Sequence, residues 1–307
     1  MKLLITGSSG FLGTHLKNIL AARSIEFIAP TRRDFDLLSL DQCLAMMKKY
    51  LPSHVVHLAA LSGGIGVNRQ KPADFYFYNA IINANVFQAA ALTGVKRMIF
   101  PIGGCSYPAS AESPIKEESL WAGLPHEASV AYSATKLLGT VAATAYHTQY
   151  GMETQIIIPG NMYGEYDNFS LRDSHVIPAL IRKFTEAEDT SQDRVEIWGT
   201  GVAIRDFIYA GDVALAIVYF LHCTKTTTPV NLSYGIGISI KSLASEISSI
   251  CGYRGSILWN ASKGDGQLIK IFSTEKMSSL GLHATTRLSE GLTRTIDWYL
   301  NTPSKRL

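Results

Sequence analysis

The segment Tyr132-Ser133-Ala134-Thr135-Lys136 places a phenol and an ammonium four positions apart. On a helix, side chains at that spacing share one face. A neighbouring cation favours the phenolate and so lowers a tyrosine pKa towards the working pH. A proton donor or acceptor of this kind is what a carbonyl/alcohol carbon requires during hydride transfer. Tyr132 and Lys136 are therefore the first candidate catalytic residues, and the reaction they suit needs a hydride carrier.

The start of the chain reads as a place for that carrier. Residues 2–6 are an apolar, β-prone run, followed by Gly7, Gly10 and Gly13. Phe11, Leu12, Leu16, Ile19 and Leu20 then recur at helical period. In a dinucleotide-binding βαβ unit the first glycine permits the turn and the second lets backbone approach a pyrophosphate. The third lets the helix pack close to the strand, and the helix N-terminus faces the anion. Residues 25–29 read as a second strand ending in Thr31-Arg32-Arg33-Asp34. A carboxylate there commonly binds a ribose 2′-hydroxyl, whereas arginine accommodates a 2′-phosphate. Arg32 and Arg33 favour NADP over NAD.

The elements that must position these groups alternate along the chain. Residues 40–50 read as a helix, 55–61 as a strand, 73–93 as a long helix, 95–102 as a strand, 132–150 as a helix and 154–158 as a strand. Ser62-Gly63-Gly64-Ile65-Gly66 reads as a loop at a carboxyl strand end, where ligands sit in open parallel sheets. The alternation predicts an α/β fold with a doubly wound parallel (Rossmann) sheet. After residue 160 loops lengthen and the 186–193 segment is polar and acidic. The expected division is a dinucleotide-binding domain over residues 1–160 and a mainly substrate-binding, smaller C-terminal lobe over 161–307. Segments such as 230–232 are expected to return to the main sheet.

Composition bounds the partners. With 307 residues, 47% hydrophobic and 17% charged, the chain is globular rather than disordered. A net charge of +3, with no basic block longer than a pair, argues against nucleic acid. Cys43, Cys105, Cys223 and Cys251 are scattered without a CxxC pair. No disulfide framework or metal centre is expected, and a reducing compartment is. The apolar run 207–221 is interrupted by Gly211 and Asp212, so a core strand and helix are expected there rather than a membrane span. With the first strand beginning almost at Met1 and no leader ahead of the glycine turn, a cytoplasmic location is expected.

The order of these parts resembles the extended short-chain dehydrogenase/reductase family. Within it, the subgroup of GDP-L-fucose synthases (GDP-4-keto-6-deoxymannose 3,5-epimerase/4-reductases) is resembled in particular. The stretches that carry the resemblance are GGIGVN with KPADFYFYN (63–79), CSYP (105–108), AYSATK (131–136) and GNMYGEYDNF (160–169). SHVIPALIRKF (174–184) and EIWGTGVAIRDFIYAGDVA (196–214) complete them. The resemblance covers roughly residues 1–220 and fades beyond. It implies a reductase half using Tyr132 and Lys136, and an epimerase half with Cys105 as base and His175 as acid. Protons beside a ketone are acidic enough for a positioned thiolate, and an imidazole can return one on the opposite face. The implied cofactor set is Gly7, Gly10, Phe11, Leu12, Gly13, Arg32, Arg33, Leu58, Ala59, Ala60, Tyr132, Lys136, Pro159, Asn161, Met162 and His175. The implied contacts to a nucleotide-diphosphate sugar, GDP-linked, are Asn161, Val176, Leu180, Lys183, Trp198, Arg205 and Lys270. Trp198 can stack on a ring and Arg205 can pair with a diphosphate. Lys183 stands where an arginine is usual and keeps charge without a bidentate fork.

One departure bears on the chemistry. The family's catalytic serine, four residues before the tyrosine of CSYP, is Gly103 here. The expectation is an NADP-dependent epimerase/reductase. An epimerase without net reduction, a 4-ketoreductase of another nucleotide sugar, and a non-catalytic NADP-binding regulatory protein stand as the alternatives. The broad apolar faces of the two long helices suit a homodimer built as a four-helix bundle, as the family commonly forms.

Overall fold

The computed structural model describes residues 1–223 and 228–302. In chain order the first elements are β1 (Leu3–Thr6), α1 (Phe11–Ala22), β2 (Phe27–Ile28), α2 (Leu40–Tyr50), β3 (His54–His57) and α3 (Ile65–Gln70). Next come α4 (Pro72–Leu92), β4 (Arg97–Pro101), α5 (Val130–Tyr150), β5 (Glu153–Pro159), β6 (Asn161–Tyr163), α6 (Val176–Asp189) and β7 (Arg194–Trp198). The remainder are β8 (Ile204–Tyr209), α7 (Ala210–His222), β9 (Val230–Leu232), β10 (Gly237–Ser239), α8 (Ile240–Ile250), β11 (Ser256–Asn260), β12 (Ile269–Lys270), α9 (Glu275–Ser279) and α10 (Leu288–Leu300).

The main sheet has six parallel strands in the order β2-β1-β3-β4-β5-β9. Side chains alternate across it, as the period of a strand dictates. Leu4, Val55, Met98, Phe100, Ile156 and Ile158 face a layer built by α2, α4 and α5. Leu3, Ile5, Val56, Ile99 and Ile157 face α1 and α7. Both faces are covered, which is why these strands read as continuous apolar runs. The chain steps from β1 outward to β2, then returns to β3 on the other side of β1. The crevice between the carboxyl ends of β1 and β3 is thus a topological switch point, the usual ligand site of such sheets. A third cluster joins α6, α8 and α10 to β7 and β8. Two small sheets belong to this part: β10-β8-β12 with β6 beside β8, and β11-β7.

Three local expectations change. The third strand ends at His57, not residue 61, because Leu58 to Ala60 leave the sheet to pass over the glycine turn. The 62–66 loop is partly helical: Gly64 is the N-cap of α3. The acidic 186–193 stretch is helical as far as Asp189, since Ala187 and the residues before it continue the apolar face of α6. Among the described residues no helix is long and apolar enough to cross a membrane; the 207–221 run divides between β8 and α7.

Candidate active site

The glycine turn is built for an anion. Gly7 has φ +69°, and a Cβ there would lie 2.5 Å from the Ala59 nitrogen. Gly13 allows α1 to touch the turn: its Cβ would fall 2.3 Å from the Gly7 carbonyl oxygen. Gly10, the N-cap, donates its N–H to Gly7 and carries no capping side chain, so the first-turn N–H groups of α1 are left for a ligand. Ala59 in turn donates to Thr6 Oγ1 at 3.3 Å, which fixes Leu58 to Ala60 across the turn. Leu12 points its side chain into the core, so only its backbone can serve a cofactor; Phe11 is half-buried. At the end of β2 the Asp34 carboxylate accepts from Thr31 N–H and Oγ1, both at 2.8 Å. Those hydrogen bonds hold it below the usual carboxylate range. The acid is occupied inside the loop, while Arg32 and Arg33 are exposed. The arrangement fits a dinucleotide with a 2′-phosphate better than one with a free 2′-hydroxyl.

Beside this turn, α5 presents the Tyr–Lys pair. Gly139 brings the helix against β4, since a Cβ there would fall 2.2 Å from Phe100 Cε1. The Phe100 ring then lies under Lys136, whose Nζ is 4.6 Å from the ring centroid. Lys136 is 2% exposed and has no carboxylate within ion-pair distance among the described residues. Burial lowers its ammonium to about 8. Beneath it His57 is fully buried and bonded through Nδ1 to Thr6 Oγ1 at 2.7 Å. Burial first, and the Lys136 charge second, press its pKa down to about 3, so the imidazole is neutral.

Tyr132 packs edge-on against Phe75, with centroids 6.2 Å apart. The expected lowering of its pKa is not what the site does. Burial pushes the phenol upward, and a negative Cys105 pushes it further. Desolvation of the phenolate is the dominant cause. The neutral phenol is the form that can give a proton to a developing alkoxide.

Cys105 lies half-buried on a single 3₁₀ turn, Gly104–Ser106, that follows β4. A thiolate there favours the ammonium of both Lys136 and Lys270. Four sequence-predicted residues, Cys105, Tyr132, Lys136 and Lys270, are therefore linked electrostatically through the cysteine. Ser106, the neighbouring hydroxyl, is fully buried and donates to the Ser133 carbonyl; it does not replace the missing serine. Gly103 has ordinary extended backbone, φ −78° and ψ 154°, and a Cβ on it would meet Cys105 Sγ at 3.1 Å.

His175 is exposed and is the N-cap of α6, without a side-chain capping bond. Its loop is held by the glycine segment before α3. Gly64 N–H donates to the Asp173 carbonyl at 2.9 Å, and a Cβ on Gly64 would lie 2.6 Å from the Ser174 oxygen. Asn68 pins the carbonyls of Gly63 and Gly64. Asp167, in the same loop as His175, is buried with Oδ2 unpartnered. Burial raises its carboxyl and the His175 charge opposes that.

The C-terminal small sheets carry the remaining candidates. Arg205 on β8 is in register with Lys270 on β12, and its guanidinium donates to the Ile204 and Asp265 carbonyls. Trp198 is 63% exposed, with Lys263 Nζ 5.6 Å from its ring. Asn161 donates to the Asp206 carbonyl at 2.8 Å, Lys183 to the Glu196 carbonyl at 2.8 Å. Val176, at the start of α6, is half-buried against the third core cluster, and Met162 on β6 is half-buried against the second; Pro159 closes β5. Leu180 is 2% exposed and belongs to the third core cluster. Lys263, Asp265 and Phe272, which contact Trp198, Arg205 and the Cys105 turn, were not among the residues expected from the sequence. Their signal was present as a mixed-charge, glycine-containing stretch at 262–272, in the part where the resemblance was expected to fade.

A glycine turn at a sheet switch point, a half-buried Tyr132 four residues from a buried Lys136 on α5 and a separate small-sheet region define a nucleotide-cofactor epimerase or dehydratase. The chain belongs to the NAD dependent epimerase/dehydratase family, whose model matches residues 3–234. It is similar to a GDP-L-fucose synthase of Sinorhizobium fredii, 34% identical over 300 residues that cover 98% of this chain and 96% of that one. Among solved structures, a GDP-6-OMe-4-keto-L-xylo-heptose reductase from C. jejuni superposes with a TM-score of 0.90 at 29% identity, covering 98% and 97% of the two chains. A GDP-L-fucose synthetase from Naegleria fowleri, bound to NADP, gives 0.92 at 27% identity, covering 99% and 93%. The relatives align over nearly the whole chain, while the match to the family model ends at residue 234.

Proposed function

We propose that the protein is an NADP-dependent epimerase/reductase of a GDP-linked 4-keto-6-deoxyhexose or a closely related GDP-sugar. The observation that carries this reading is that Tyr132, Lys136 and Lys270 all lie within electrostatic reach of Cys105. The matches to GDP-L-fucose synthases, and the NADP in one of them, support the substrate class and the cofactor.

Cys105 removes a proton from a carbon beside the 4-ketone, and His175 returns one from the opposite face. Tyr132, held neutral by burial, donates its phenolic proton to O4. Lys136 presents its ammonium to the ribose side of the cofactor and keeps positive charge near the phenol as it ionises. NADPH, when bound, supplies the hydride to C4. Arg205, Lys270 and Lys183 offer charge to the diphosphate, and Trp198 offers a ring face to the base or sugar. Residues 1–160 serve mainly the cofactor and 161–307 mainly the sugar nucleotide. The absence of a hydroxyl at Gly103, together with the likeness to a heptose reductase, supports a second reading. In it, one of the two half-reactions dominates on the natural sugar.

Two copies are proposed to pair through α4 and α5, which leave Phe77, Leu138 and Val141 exposed. The four free thiols, two of them buried, suit the reducing cytoplasm. The test is incubation with GDP-4-keto-6-deoxymannose in deuterated water, with and without NADPH. Deuterium in the sugar without NADPH, and NADPH oxidation when it is added, are the expected results. No deuterium and no oxidation would overturn the proposal.

A further inference from the structure

The turn that carries Cys105 is gripped from two sides. On one side Ser106 Oγ bonds to the Ser133 carbonyl of α5 at 3.4 Å. On the other lies Phe272, 1% exposed, in the segment that follows β12. A Cβ on Gly104 would sit 2.5 Å from Phe272 Cζ and 2.9 Å from Cε1, so only glycine coexists with the ring in this place. The same ring bounds Gly160, where a Cβ would be 3.3 Å from Cδ2. It also tilts against the buried Tyr107, with centroids 5.9 Å apart.

The ring cannot easily withdraw. Phe272 N–H donates to Asp206 Oδ2 at 3.3 Å. Ile115 brackets it, donating to the Ile271 carbonyl at 2.8 Å and accepting from Ser273 N–H at 2.9 Å. Lys270 lies two residues earlier, its Nζ 5.9 Å from the ring centroid. Side chains two apart in extended chain share a face, so one short stretch carries both the ring under the turn and an ammonium near the thiol.

We propose that Phe272 is a positioning residue for Cys105: through its contact with Gly104 the ring sets where the thiol points. A residue more than one hundred and sixty positions from the cysteine thereby completes the proton-exchange half of the site. The consequence for epimerisation rests on Cys105 being the base; the placement of the thiol does not.

The experiment compares Gly104→Ala, Phe272→Leu and the double variant. Three readouts are taken: solvent-deuterium incorporation into the sugar, the rate of Cys105 alkylation by iodoacetamide located by peptide mass spectrometry, and NADPH binding as a check of folding. A thiol displaced by about 1 Å loses about 10²-fold in exchange, and that is the loss expected for Gly104→Ala, with an altered alkylation rate and NADPH binding retained. Leucine ends short of the Cζ position, so Phe272→Leu in the Gly104→Ala background is expected to restore most of the exchange and the native alkylation rate. Should Gly104→Ala not fold, Phe272→Ala, which removes the ring and adds nothing, is expected to change alkylation and depress exchange. Wild-type alkylation and exchange in Gly104→Ala, or in Phe272→Ala, would overturn the proposal, as would no rescue in the double variant. If the wild-type protein exchanges no deuterium, the assignment of Cys105 as base fails, while the alkylation series still decides the positioning.

Discussion

Serine at position 103 separates the two half-reactions. The Gly103 backbone is extended, φ −78° and ψ 154°, so an L-residue fits there without strain. Its Cβ would lie 3.1 Å from Cys105 Sγ and 3.9 Å from Cys105 N, with nothing else nearer than 4 Å. The thiol must therefore yield by a few tenths of an ångström. The new hydroxyl adds a donor where the family's serine stands. One oxyanion donor is typically worth about 2.7–4 kcal/mol, or about 10²–10³ in rate. Part of that gain is offset where Tyr132 already serves O4, so a rise of about tenfold to a hundredfold in C4 reduction is expected for Gly103→Ser. Proton exchange at the neighbouring carbons is expected to fall, because the thiol is the group displaced. Gly103→Ala is the control: it brings the Cβ but no donor, so exchange falls and reduction does not rise. The assay is NADPH oxidation on an already epimerised 4-ketone, alongside deuterium incorporation on the unepimerised one. No gain in NADPH oxidation for Gly103→Ser would mean that a hydroxyl at this position does not assist reduction, as would an equal gain for Gly103→Ala.

Lys136 leaves its ammonium form near pH 8 because burial lowers it. The sign follows directly: the charge is present below that pH and lost above it, so the free-enzyme kcat/KM for reduction should fall as pH rises through about 8. A flat profile to pH 9 would contradict this. Lys136→Met, which keeps length and loses charge, should depress reduction by about 10²-fold or more at pH 7, measured as NADPH oxidation. Replacing Arg32 and Arg33 by alanine should weaken NADPH about ten- to a hundredfold and leave NADH nearly unchanged, read by fluorescence titration. Val141→Glu on the exposed face of α5 should convert the proposed dimer to a monomer in analytical ultracentrifugation without lowering the melting temperature.

Much of the site was legible because its signals are local. The Gly7–Gly13 turn, Arg32-Arg33 and the Tyr132–Lys136 spacing each encode a backbone or charge requirement within a few residues. The structure then adds the close approaches to Ala59 and to the Gly7 carbonyl. What was not legible depends on contacts distant in sequence. Desolvation of the Tyr132 phenol, with Cys105 beside it, moves its pKa opposite to the direction expected from Lys136 alone. Gly64 reads as part of a flexible loop, yet its lack of a Cβ is what lets α3 abut the loop that carries His175. Leu180 sits on the amphipathic α6, and its packing in the third core cluster was not readable from its neighbours in sequence. Phe272 lies in a stretch without a readable period, and only packing on Gly104 gives it meaning.

The proposed enzyme performs proton exchange and reduction with different residues of one site. The most direct measurement follows Cys105→Ser and Tyr132→Phe in parallel, recording deuterium incorporation and NADPH oxidation on the same GDP-4-keto sugar. Cys105→Ser should lose incorporation and still reduce an already epimerised ketone. Tyr132→Phe should incorporate deuterium and lose reduction by about 10²-fold or more. Loss of both activities in each variant, with NADPH still bound, would contradict that division.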